Sequence, residues 1–171
     1  GRKEWVRKMN QGYHEIKEHG KREFPFNIYP CSIPVDFTHV ALHWHEEMEI
    51  IAVKKGKGRI TVDTVSYPVE EGDILAVFPG QLHAISCGNG ERMEYENIIF
   101  RLSMLMGDNG DGCTVHFLKP LQEGQAKNPV LIQRNQPDHE VFGKVIQELD
   151  RFSEIRGNGY QLAVKGQLFL F

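Results

Sequence analysis

Residues 43–49, HWHEEME, bring three potential metal ligands close together in the sequence. His43, His45 and Glu49 are separated by two and four residues, so in an extended strand their side chains point to the same face of the sheet. Imidazole nitrogens combined with a carboxylate suit Zn, Ni, Mn, Fe or Cu. The spacing therefore predicts three donors converging on one spot.

A fourth donor, His83, ends the run GDILAVFPGQLH. Pro79 and Gly80 predict a turn that returns the next strand beside the first, and neighbouring strands lie only about 5 Å apart. Two interpretations of the resulting set of three imidazoles and one carboxylate stay open. The set could hold a divalent transition metal such as Zn, Ni, Mn or Fe, or it could line a small-molecule pocket without metal, because imidazoles hydrogen-bond hydroxyl groups.

Two further side chains near this set are candidates for binding or for packing. Arg101 alternates with apolar neighbours and could bind an anionic molecule, although pairing with a carboxylate of the protein is the simpler interpretation. Trp44 lies between the two histidines and faces the other way on a regular strand. We expect it to pack under the C-terminal helices rather than to stack on a ligand.

The elements that position these residues are predicted to be short strands. From Phe24 to about Leu105, β-prone runs are broken by Gly and Pro, which is typical of a β-sandwich or barrel. The segment KKGKG between two apolar runs is interpreted as a hairpin turn, because glycine supplies the positive φ angles of tight turns.

Helical patterns flank the strands on both sides. After Pro137 the apolar period becomes 3.6, which predicts a helix with Asp138 as a candidate cap, and a second helical run, YQLAVKGQLFLF, follows Gly159. At the N-terminus the stripe of Trp5, Met9, Tyr13 and Ile16 predicts a surface helix or an arm.

Composition limits the classes of function. The chain has 171 residues, of which 40% are hydrophobic, and a formal charge of −3, so it can bury one core but lacks the positive field that holds nucleic acid. Its three cysteines form no CxxC pair, which favours a reducing cytoplasm. No apolar stretch approaches the roughly 18 residues of a membrane span.

The spacing of these motifs resembles a known family. HxHxxxE followed by Gly56 resembles the first cupin motif, and Gly72, Pro79, Gly80 and His83 resemble the second. Over about residues 24–171 the chain, including ENIIFRLSML and PLQEG, is similar to the N-terminal sensor domain of AraC-type transcription regulators. The resemblance implies a mainly β fold, a cupin or double-stranded β-helix (jelly-roll) barrel, followed by a C-terminal α-helical hairpin.

The resemblance also implies a division of the chain and a set of partners. Residues 1–23 would form an N-terminal arm or helix, 24–120 the barrel, and 121–171 a linker and the helical hairpin that pairs two subunits into a homodimer. Because the chain starts without Met and ends on the apolar run GQLFLF, we expect a fragment whose DNA-binding domain, with two helix-turn-helix units, follows residue 171.

The function implied is that of the effector-sensing half of a bacterial, cytoplasmic regulator without catalytic residues. A small molecule such as a sugar would bind in the barrel, and DNA would be contacted only through the missing domain. The expected pocket residues are His43, His45, Glu49, His83 and Arg101. Two alternatives stay open: a metal-dependent cupin enzyme such as a sugar isomerase or dioxygenase, and a storage cupin that sequesters a metabolite.

Overall fold

The computed structural model describes residues 13–15 and 17–171, and shows a β barrel of two facing sheets with helices packed on one outer face. The predicted mainly β cupin architecture with C-terminal helices is confirmed. The strands are β1 Phe26–Ile33, β2 Val40–His43, β3 Met48–Val62, β4 Val65–Glu70, β5 Ile74–Val77, β6 His83–Ser86, β7 Met93–Phe100 and β8 Val130–Ile132.

The helices follow the barrel strands. A 3₁₀ turn covers Leu102–Leu105 and a π-helical turn, Thr114–Leu118, leads into α1, Lys119–Gln122; the hairpin consists of α2, His139–Glu154, and α3, Tyr160–Leu170. Within the described ranges, none of these helices has the length and apolar character needed to cross a bilayer.

Strand β3 belongs to both sheets and joins them. Its first part pairs antiparallel with β5 and β7, and its second part, from Lys57 onward, pairs with β4 and β6. The expected hairpin turn at KKGKG is therefore wrong, because the strand continues through Gly56 after a register shift between Val53 and Lys55. Gly56 has φ 77°, and a Cβ there would lie 1.9 Å from the Arg92 carbonyl oxygen, so glycine bends the strand without reversing it.

The alternation of β3 separates two cores. Ile51 and Val53 point into the barrel, whereas Ile50 and Ala52 point outward to the helices. A strand that is buried on both faces has a nearly continuous apolar sequence, which explains the run MEIIAV. The barrel thus forms a closed scaffold around the residues predicted to do chemistry.

The hairpin covers the outer face of the sheet that contains β1, β7, β3, β5 and β8. Helix α2 buries Val145, Ile146 and Leu149, which lie on the predicted apolar face, and α3 buries Val164 and Leu168. Asp138 directly precedes α2, but its side chain makes no cap hydrogen bond, so the expected capping role is wrong.

Two segments differ from the sequence-based description. Strand β8 lies in the segment that was expected to be a linker, and its Ile132 pairs with Ile74 of β5. The strand has only three residues, which are too few to show an alternating pattern in the sequence. Of the N-terminal stripe, Trp5, Met9 and Ile16 lie outside the described residues.

Candidate functional site

Four donors meet at one end of the barrel. His43 ends β2, His45 follows in the connection to β3, Glu49 lies near the start of β3, and His83 begins β6. Their ligand atoms all lie within 4.8 Å of one another. We call these four residues the His/Glu cluster.

The route by which the cluster assembles differs in part from the expectation. His43 and His83 are direct partners in the antiparallel pairing of β2 with β6, as the turn at Pro79 predicted. His43, His45 and Glu49, however, do not lie along one strand, because the chain leaves β2 after His43 and enters the other sheet at Met48. The two sheets, rather than a single strand, bring these three side chains together.

Backbone carbonyl groups orient the three imidazoles. The Nδ1 atoms of His43, His45 and His83 lie 2.8, 3.0 and 2.9 Å from the carbonyl oxygens of Ala41, Glu47 and Gln81. A carbonyl oxygen can only accept, so each Nδ1 carries a hydrogen and donates. Each ring is thereby held through Nδ1, and Nε2 is the nitrogen that remains available to bind a proton, a metal or a ligand.

Glu49 connects two of these rings. Its Oε2 lies 2.9 Å from Nε2 of His45 and 2.5 Å from Nε2 of His83, and the carboxylate is 2% exposed. Burial alone would raise the pKa of Glu49, but the charge of His83 and the hydrogen bonds from both rings outweigh it and hold the pKa below its usual range. Burial alone would lower the pKa of His45, but the hydrogen bond and the negative charge of Glu49 outweigh burial and raise the pKa of that ring.

The cluster has the donor chemistry of a metal site. A neutral imidazole with its hydrogen on Nδ1 presents a lone pair on Nε2, and that lone pair would face the lone pairs of Glu49 unless a proton or a cation lies between them. Three imidazoles and a carboxylate are ligands for divalent transition metals. His43, His45, Glu49 and His83 could therefore hold such an ion.

The N-terminal segment lies over the cluster. Trp44 N donates to Tyr13 O at 2.9 Å, and Glu15 N donates to Trp44 O at 2.8 Å. Glu15 Oε2 lies 3.7 Å from Nε2 of His43, and the ring centroid of His19 is 6.3 Å from that of His45. The sequence carried no strand pattern in this segment, so these contacts could not be foreseen.

Arg101 and Trp44 do not belong to the His/Glu cluster. Arg101 follows β7 at the rim of the barrel, is half exposed and lies 3.3 Å from Oε1 of the buried Glu47, which is the carboxylate pairing considered above. Trp44 does not pack under the helices; it stacks on His14 with ring centroids 4.0 Å apart, so that expectation is wrong. Trp44 forms an isolated parallel bridge with His14, so the N-terminal segment rather than the helical hairpin packs against it.

Sequence reasoning did not single out two buried amide groups, those of Asn97 and Gln81, as candidate contacts. Asn97 Oδ1 and Gln81 Nε2 are buried and lack a hydrogen-bond partner within 13–15 and 17–171. Asn97 shares a strand face with Tyr95, which points into the barrel, and the Gln81 carbonyl holds His83. Buried polar atoms without partners cost free energy, so both are candidate contacts for a bound molecule.

Comparison with known proteins gives a consistent result. Residues 34–170 match the AraC-like ligand binding domain family. A curated relative, the uncharacterised HTH-type transcriptional regulator YdeC of Bacillus subtilis, is 28% identical over 88 residues, which are 51% of this chain and 30% of the relative. The chain thus spans less than a third of the length of that regulator.

Solved structures with partial similarity include cupins and a regulator. A cupin protein from Bacteroides fragilis is 25% identical, with TM-score 0.37, over 49% of this chain and 69% of that one. A predicted oxalate decarboxylase from Thermotoga maritima is 24% identical, with TM-score 0.40, over 43% and 64%. An HTH_3 family transcriptional regulator from Vibrio cholerae is 18% identical, with TM-score 0.41, over 47% and 45%.

Proposed function

Because the chain belongs to the AraC-like ligand-binding domain family, we propose that it is the effector-sensing domain of an AraC-type DNA-binding transcription regulator. The observation that carries the proposal is the family match over residues 34–170, in which the His/Glu cluster lies. The proposal includes a cytoplasmic location and a DNA-binding domain beyond residue 171, as the regulator relative suggests.

The proposed effector site is the end of the barrel at the His/Glu cluster. A small molecule such as a sugar would receive or donate hydrogen bonds at His43, His45, Glu49 and His83, with Arg101 at the rim. A divalent transition metal held by the same four side chains would supply a Lewis acid that binds ligand oxygens. No catalytic step is part of this function.

The N-terminal segment provides a route from the site to the rest of the protein. Glu15 contacts His43, and the backbone of Tyr13 pairs with Trp44, so a molecule bound at the cluster alters the surface on which this segment lies. Ligand-dependent switching requires the effector to bind one arrangement of the segment better than another. The contacts of Tyr13 and Glu15 named above belong to the arrangement in which the N-terminal segment covers the cluster.

Homodimerisation through the helical hairpin is the second part of the proposal. Leu162, Phe169 and Leu170 on α3 are 76%, 59% and 65% exposed. Exposed apolar surfaces of this kind commonly mark interfaces. Leu162→Ser together with Leu170→Ser should convert a dimer into a monomer in light scattering, while the matched exposed change Gln161→Ser should not.

The test of sensing uses the intact protein encoded by the gene. We expect about 100 residues with two helix-turn-helix patterns after residue 171. Operator affinity, measured by fluorescence anisotropy, should change when a molecule that binds the wild-type barrel is added, and His83→Gln should abolish the change. Unchanged operator affinity with every barrel ligand would contradict sensing, and ligand turnover that Glu49→Gln abolishes would favour the enzyme alternative.

A further inference from the structure

A cavity of about 290 Å³ lies beside the His/Glu cluster, between the N-terminal segment and the end of β7. It is lined by Glu18, His19, Gly20, Lys21, Arg22, Pro25 and Arg101. Its cationic side chains are Lys21, Arg22 and Arg101, against the single carboxylate of Glu18. This excess of positive charge is notable in a chain whose formal charge is −3.

Two of the three cationic side chains have no ion-pair partner in the described part of the chain, and the third, Arg101, is paired with Glu47. Lys21 and Arg22 form no ion pair with any residue that the structure describes, and both are exposed. Arg101 contacts Glu47 Oε1 through one guanidinium nitrogen, Nη2, at 3.3 Å. A guanidinium carries five N–H donors, so most of its hydrogen-bonding capacity is available to a ligand.

His19, which lines the cavity, adds a buried ring nitrogen without a partner among the described residues. The residue is 7% exposed, and its Nε2 is buried without a hydrogen-bond partner in the described part of the chain. The Tyr29 hydroxyl lies 2.9 Å from its Nδ1. With the hydroxyl as donor, Nε2 carries the ring hydrogen and becomes a hydrogen-bond donor in need of an acceptor.

The backbone holds the cavity wall in place. Gly20 has φ 78°, and a Cβ there would lie 2.4 Å from the Phe26 carbonyl oxygen, so only glycine brings the segment this close to β1. Lys21 and Phe24 then exchange backbone hydrogen bonds of 3.2 and 2.9 Å. This tight turn presents Lys21 and Arg22 on the same side as Arg101.

We propose that this cavity is an oxyanion subsite, which binds a phosphate or carboxylate group of a small molecule. Two independent observations within the described residues support this: Lys21 and Arg22 have no ion-pair partner, and His19 Nε2 is buried without a hydrogen-bond partner. Charge-assisted bonds from guanidinium and ammonium groups are the usual means of holding such anions. If the cluster is the effector site proposed above, the effector is an anionic compound whose oxyanion lies here; this last step rests on that proposed function.

The test measures anion binding to the 171-residue chain by calorimetry at low ionic strength, after metal has been removed on a chelating resin. Inorganic phosphate and citrate serve as probes, and glucose as the uncharged comparison. We expect saturable binding of phosphate, citrate or both, and a loss of roughly tenfold or more in affinity for Lys21→Gln and for Arg101→Gln. Lys21→Gln should leave the affinity for glucose, which carries no oxyanion, unchanged. Which probe binds more tightly identifies the oxyanion.

The matched control is Lys57→Gln, which removes an exposed cation outside the cavity, where Lys57 pairs with Glu91 at 3.9 Å. Equal affinities for the Lys21 and Lys57 variants, or non-saturable binding, would overturn the proposal by showing only general attraction to the surface. The measurement involves no DNA, so an intact protein that does not respond to effectors at its operator would refute sensing without affecting this result.

Discussion

Replacing Glu49 by methionine tests whether the carboxylate holds the cluster together in the metal-free protein. Methionine has a similar length but accepts no strong hydrogen bond, so Nε2 of His45 and of His83 each lose the partner described above. Removing one member of a buried charged pair costs about 3–5 kcal/mol, because the remaining groups stay buried without compensation.

This cost predicts a measurable change in melting temperature. For a domain of this size each kcal/mol shifts Tm by about 2–4 °C. The Glu49→Met variant should therefore unfold about 10 °C below the wild type in differential scanning calorimetry at neutral pH, where Glu49 is ionised. The loss should shrink as the pH falls toward the depressed pKa of Glu49, because the stability that this carboxylate contributes is lost on protonation.

Glu46→Met is the matched control, since Glu46 is exposed and lies three residues away. A surface change of this kind alters stability by at most about 0.5 kcal/mol. Equal melting temperatures for the two variants would refute the reasoning, because they would show that Glu49 contributes nothing to the position of the histidines.

Three further outcomes are expected. Gly56→Ala should lower the free energy of unfolding by at least about 1–2 kcal/mol, because Gly56 has a positive φ and its added Cβ would meet the Arg92 carbonyl. Gly166→Ala should instead raise the free energy of unfolding by about 0.5–1 kcal/mol, because a Cβ at this position on α3 meets nothing within 4 Å. Urea titration measures both changes. Burial and the neighbouring Asp150 raise the pKa of Glu96 to about 7, so this carboxyl favours the folded state at acid pH and that contribution is lost as the pH rises toward 7. Glu96→Gln should therefore become more stable relative to the wild type between about pH 5 and pH 8, as followed by urea titration across that range. Zn²⁺ at 100 times its Kd should stabilise the metal-stripped wild type by about 2.7 kcal/mol in thermal unfolding, and His83→Gln should lose most of that gain.

The donor set and the fold class were accessible from the sequence because both are encoded locally. The spacing of His43, His45 and Glu49 and the turn before His83 are visible in short windows, and alternation with a period of two identifies strands without knowledge of their partners. The 3.6-residue period likewise predicted α2, whose buried residues lie on the expected face. The assignment of the family followed from these same motifs.

The tertiary structure alone decided how the site is enclosed. The path of β3 from one sheet to the other made the expected turn at KKGKG wrong, and it brought Glu49 to His83 from opposite sheets. The stacking of Trp44 on His14 and the pairing of Arg101 with Glu47 depend on where distant segments meet. Periodicity specifies which face of an element is apolar, but contacts between elements depend on the loop path and on packing summed over the whole core, which no short window contains.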